Sequence, residues 1–140
     1  MTDGRRATGE GPEVVARLAL ARAMATAASG ALILEIGPTV AAAEGERAGW
    51  NVVRLEAWGD RAAFLQACRR AFDLPDWFGH NWDALADSLS DVQHRPGTLV
   101  VWAGARELAD DVRATATAIF AERADDGPAP FLVVDVGSER

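Results

Sequence analysis

At 140 residues, 49% hydrophobic and 25% charged, the chain has the length of one domain and an ordinary globular mix, which excludes wholesale disorder. Fourteen arginines and no lysine stand against 21 acidic side chains, a net charge of -7. That balance disfavours a binder of nucleic-acid backbone, which needs a concentrated basic surface, and is compatible with a basic protein partner.

Residues 1–11 are polar, with three glycines and no periodicity, and read as a flexible tail. Pro12 suits a first helical turn, and Val14, Val15, Leu18, Ala21, Met24 and Ala25 follow at helical spacing until Gly30. Arg17 and Arg22 interrupt this apolar stretch and Glu10 and Glu13 precede it, so it reads as an amphipathic helix of a cytoplasmic protein rather than a secretory signal. No apolar run approaches the ~20 residues of a membrane span. Residues 31–36 read as a short buried strand, 39–49 as a short helix or a loop, and 50–57 as a second strand.

Asp60 is a good N-cap for a helix carrying Phe64, Leu65, Cys68 and Phe72 on one face, broken at Pro75. Asn81 caps another helix running to about Asp91. Pro96-Gly97 marks a turn before a third strand at 98–102. Asp110 or Asp111 caps a helix with Val112, Ala116, Ile119 and Phe120 on its apolar face. Residues 127–130 form a rigid loop, and 131–136 a last strand. Strands alternating with helices predict an α/β fold with a small, mostly parallel sheet packed against helices.

Residues 72–92, FDLPDWFGHNWDALADSLSDV, contain five aspartates and no arginine. At about 100° per residue, Trp82, Leu85, Leu89 and Val92 fall on one side of the predicted helix, and Asp83, Asp87, Ser90 and Asp91 on the other. The macrodipole favours Asp83 near the N-terminus, whereas Asp87 gains little from it and repels Asp83 at i,i+4. No cation within the helix relieves them. Such a face is either simply solvated or faces a partner.

The stretch PDWFGHNWDALADSL resembles the signature of the barstar family, intracellular inhibitors of barnase-type ribonucleases: an aromatic pair, Gly, any residue, Asn, any residue, Asp-Ala-Leu and a second Asp four residues after the first. Trp77-Phe78, Gly79, Asn81, Asp83-Ala84-Leu85 and Asp87 supply it here. The order of elements from Trp50 to Val136 also resembles the family. So do Leu99-Val100-Val101-Trp102 and Ile119-Phe120-Ala121-Glu122. The resemblance implies a stoichiometric inhibitor whose motif helix and preceding loop plug the active site of a small basic secreted ribonuclease, with no cofactor, metal, nucleic acid or membrane. It implies Asp83 and Asp87 as the central acidic contacts, Trp77 as a ring packed on the enzyme's catalytic histidine, Gly79 and Asn81 as the approaching loop, and Glu122 as a peripheral acidic contact. His80 stands in that loop where the family has an acidic residue, and is expected to meet the partner or solvent.

The chain departs from the family at Ala86, which replaces a contact tryptophan, at Ser88, which replaces a cysteine, and between Trp102 and Phe120, a stretch about three residues shorter. These departures point to a related ribonuclease with a different surface. Residues 12–49 have no counterpart in the minimal family domain and read as an extension, a helix plus a strand packed on the domain of 50–140. It either adds to the sheet or covers an exposed edge.

A barstar-like module for a different basic partner is the alternative. A hydrolase using Asp83 and Asp87 would need a concave pocket and a carboxylate with a raised pKa or a bound metal. Cys68, on an apolar helix face, reads as a small core residue, and no CxxC pair exists to hold zinc or run redox chemistry. Trp50, Trp82 and Trp102 read as packing residues, and Trp77 as an exposed interface anchor.

Overall fold

The computed structural model describes residues 11–75 and 80–136. Runs of aliphatic and β-branched residues form the strands β1 (Gly30–Leu34), β2 (Asn51–Glu56), β3 (Thr98–Ala103) and β4 (Phe131–Val136). They make one sheet in the order β1-β4-β3-β2 with every pairing parallel. Among the described residues five α-helices form: α1 (Pro12–Ala25), ahead of the first strand, and α2 (Pro38–Arg47), α3 (Arg61–Ala71), α4 (Trp82–Ser90) and α5 (Asp110–Asp126), which supply the crossovers that parallel neighbours require. The α/β expectation holds, and the sheet is parallel throughout.

Successive strand residues point to opposite faces, so each central strand feeds two cores. One face carries Val53, Leu55, Val100, Trp102, Phe131 and Val133, covered by α3, α4 and α5. An aromatic cluster fills it: Trp102 meets Phe120 edge-on at 5.3 Å between centroids, and Phe64 lies 5.9 Å from Trp102. The other face carries Leu99, Val101, Leu132 and Val134, covered by Ala16, Leu20 and Met24 of α1 and Ala41 and Ala42 of α2. Gly45 lets α2 approach closely, since a Cβ there would come within 2.7 Å of side-chain carbons of both Leu99 and Val52.

Four local expectations are corrected. α1 ends at Ala25, five residues before Gly30: Thr26 turns its hydroxyl back onto the carbonyls of Arg22 and Ala23, and Ala27 adopts a left-handed φ of 56°. Gly30 opens β1 instead. The first strand is an edge strand rather than a buried one, since β4 is its only neighbour among the described residues and Ile33 is 73% exposed. Neither Asp110 nor Asp111 caps α5; Ala109 holds that position with no side-chain cap, and both aspartates lie in the first turn. α3 stops at Ala71, ahead of Pro75, with Asp73 in the left-handed region.

Candidate functional site

The acidic helix α4 begins where the sequence places it. Asn81 is extended, and its side-chain oxygen accepts the Ala84 N–H at 2.8 Å, satisfying one of the helix's unpaired N-terminal donors. His80 has a left-handed φ of 52°, and its Nε2 lies 2.8 Å from Oε1 of Gln66 on α3. The end of the preceding loop is thereby tied to a neighbouring helix. Leu85 and Leu89 are fully buried, and Trp82 packs its ring 5.8 Å from that of Phe64. Burying that stripe turns the opposite face outward, and Asp83, Asp87, Ser90 and Asp91 are all exposed.

The C-terminal end of α4 has no basic residue in its last turn. Arg123 of α5 takes that place from outside. Its Nε donates to the carbonyl of Leu89 at 2.8 Å, one terminal nitrogen donates to the carbonyl of Val92, and the other reaches the carbonyl of Ala129 at 3.4 Å. The guanidinium also lies 4.9 Å from the Phe131 ring centroid. Burial lowers the Arg123 pKa from its ordinary value, and the bonds to carbonyls and ring offset that desolvation. Arg123 is the residue sequence reasoning missed. Its signal was present: it follows Phe120 by three positions, on the apolar face of an otherwise amphipathic helix.

Glu122, next to Arg123, is exposed on the α5 surface that faces α4. It lines a hollow of about 220 Å³ together with Ala86 and Ser90 of α4. The fold therefore brings Glu122 to the flank of the Asp83–Asp87 face. Asp83, Asp87 and Glu122 enter no ion pair among the described residues, whereas Arg17 and Arg47 both pair with the buried Glu44 elsewhere. Trp77 and Gly79 lie outside the described residues. Of the other expected contacts, Asn81 is engaged as a cap and His80 as a tie to Gln66, while the three carboxylates have no side-chain partner among the described residues.

Two further sequence expectations bear on chemistry. Cys68 is fully buried on α3, and burial pushes its thiol far above the ordinary range, as befits a core residue. Among the described residues, no three His, Cys, Asp or Glu side chains gather closely enough to hold a metal ion, and no helix is long and apolar enough to cross a membrane.

A family model described as Barstar (barnase inhibitor) matches residues 50–135. No curated protein matches the chain.

Proposed function

Because the chain belongs to the barstar family, we propose that it is a stoichiometric inhibitor of a barnase-type secreted ribonuclease, acting in the cytoplasm as an immunity or self-protection protein rather than as an enzyme. The observation that carries the reading is the pair Asp83 and Asp87: exposed, without an ion pair among the described residues, and mounted on a helix held at both ends.

A ribonuclease binds its substrate's phosphates with cationic side chains. Two carboxylates one helical turn apart offer those cations an alternative that cannot be cleaved, through charge-assisted and often bidentate hydrogen bonds. The repulsion between them is a small cost in the free protein, and the partner's cations relieve it on binding. The Asn81 cap and the Arg123 anchor order the helix beforehand, so little conformational entropy is lost on association. Glu122 extends the negative surface across to α5. In this reading Trp77, Gly79, His80 and Asn81 form the loop side of the contact, with Trp77 as an aromatic anchor. The net charge of -7 steers a basic partner toward encounter.

A titration of the protein against a panel of small secreted barnase-type ribonucleases tests this. Complete inhibition of one enzyme at a 1:1 ratio, abolished by Asp87→Ala, is the expected result. If no enzyme on the panel is inhibited, the reading fails, and a barstar-like module for a different basic partner takes its place.

A further inference from the structure

We infer that the crevice at the carboxyl ends of β1, β4 and β3 is a binding site for a small phenol, whose hydroxyl bridges the Trp102 indole and the Asp135 carboxyl. The crevice is separate from the acidic face, and the inference does not depend on the inhibitor reading.

The crevice follows from the order of the strands. Ile33, Asp135 and Trp102 are each the next-to-last residue of their strand, and the register sets Asp135 beside both of the others. Trp102 belongs to the core under α5, and Leu32 and Leu34 pack on the opposite face, so alternation turns Ile33 and Asp135 to the Trp102 side. β3 leads into α5 on that side, whereas β1 leads into α2 on the other. Where neighbouring connections leave an open parallel sheet in opposite directions, a gap forms beyond the strand ends, and ligands of such sheets bind there. In this chain the gap leaves Ile33 exposed and encloses about 390 Å³. That lies at the small end of the roughly 300–1,000 Å³ typical of small-molecule pockets.

The polar atoms select the guest. Trp102 and Asp135 both line the crevice, and Nε1 of the one and Oδ1 of the other are buried without a hydrogen-bond partner among the described residues. Trp102 itself is 3% exposed. Buried polar groups are costly to leave in that condition. An indole only donates and a carboxylate only accepts. A hydroxyl does both, so a single one placed between them accepts from Nε1 and donates to Oδ1. An ether or a hydrocarbon leaves the carboxylate unserved. Arg106 and Arg113 also line the crevice, outnumber its one carboxylate and disfavour an organic cation. The remaining wall is largely carbon, with Phe120, Val133 and Ile33 around the Trp102 ring, which suits a flat aromatic body. A phenol combines that body with the hydroxyl.

Arg113, Thr117 and Ala121 recur at i,i+4 and form the stripe of α5 that lines the crevice, whereas Ile119, Glu122 and Asp126 line the hollow toward α4. The two sites lie on different sides of one helix.

The test is a titration of the free full-length protein with phenol, followed by heteronuclear NMR, with the indole N–H of Trp102 as reporter. Anisole, whose oxygen accepts but cannot donate, and benzamidinium, a flat cation, serve as comparisons. The expected result is a saturable shift of the Trp102 indole and of the amides of Ile33, Thr117 and Asp135, with phenol binding at least tenfold more tightly than either comparison compound. Asp135→Val keeps the shape and removes the acceptor, and it should abolish the preference for phenol over anisole. Ala121→Trp fills the crevice from an exposed helix position and should block phenol. No saturable shift would mean that the crevice takes only water and would overturn the inference. So would equal affinity for phenol and anisole, a preference that survives Asp135→Val, or binding unaffected by Ala121→Trp.

Discussion

Nε of Arg123 donates to the carbonyl oxygen of Leu89 at 2.8 Å, joining residues 34 positions apart and fixing the end of α4 to α5. The carbonyls at a helix C-terminus lack intrahelical donors, and α4 has no basic residue in its last turn to serve them. Arg123→Met keeps most of the stem's volume and removes every donor. Leaving buried carbonyls without partners costs about 1–3 kcal/mol each, so a loss of at least about 2 kcal/mol is expected in chemical denaturation. Hydrogen exchange should quicken at Asp91 and Val92, whose amides close the last turn onto Ser88 and Leu89. An unchanged midpoint would show that water replaces the guanidinium.

Asp87→Ala separates surface from core. The side chain is exposed and has no ion pair among the described residues, so stability should change by less than about 0.5 kcal/mol. A slight gain is expected, because the repulsion with Asp83 is relieved. Binding to the target ribonuclease should weaken by about 2–5 kcal/mol. The wild-type association rate should also fall steeply with salt, as steered encounters do. Stopped-flow association at several ionic strengths checks this, and a salt-insensitive rate would count against the acidic face as the docking surface.

Leu85→Ala should behave oppositely. Leu85 is fully buried two positions from Asp87, and truncating it should cost about 2–5 kcal/mol of stability. Inhibition at a temperature where the variant remains folded should be close to wild type. If inhibition fails while the fold stays intact, Leu85 sets the helix's position as well as its stability.

Asp135 gives a pH signature away from the acidic face. It lines a hollow of about 390 Å³ beside β1, and one of its oxygens is buried without a hydrogen-bond partner among the described residues. Burial raises its carboxyl above the ordinary range, with Arg106 and Arg113 pulling the other way. A raised folded-state pKa means that the folded state holds the proton more tightly than the unfolded chain. The stabilising contribution is therefore complete below the ordinary carboxylate value and is lost as pH rises through the raised one. Asp135→Asn should melt higher than wild type at neutral pH, with the difference vanishing below about pH 4. Melting curves for the two proteins across that range check it, and a variant less stable at neutral pH would show that the two arginines outweigh burial.

The helix carrying the acidic face was legible because its signals are local. Asn81 and Asp60 cap the helices they were expected to cap, and the Leu85–Leu89 stripe at period 3.6 is the buried one. The opposition of carboxylates to leucines follows from the same period. What the sequence left hidden depends on distant partners. The position of Arg123 on the apolar face marks it as unusual, but its task shows only once the fold places the Leu89 carbonyl against it. The strand at 30–34 is as apolar as a central strand, yet only one side of it is paired, and no local pattern reveals how many neighbours a strand will have. The start of α5 misled because two aspartates in sequence resemble a cap; the chain enters that helix through the extended Ala109, and the aspartates lie one and two positions further on, where the macrodipole still favours them.

The placement of β1 has a consequence for how the protein is made. Among the described residues the first strand pairs only with the last, and the Ser29 hydroxyl accepts the Phe131 N–H at 3.1 Å across 102 residues. On a ribosome α1, β1 and α2 emerge before the sheet they cover, whose face is not complete until β4 has left the exit tunnel. Nascent α1 can meet Ala41 and Ala42 of α2 early, but the face formed by Leu99, Val101, Leu132 and Val134 is still incomplete, and unfinished chains in that state are prone to associate. A stop codon ahead of Phe131 would remove six residues of sheet and, with them, the docking place of the chain's beginning.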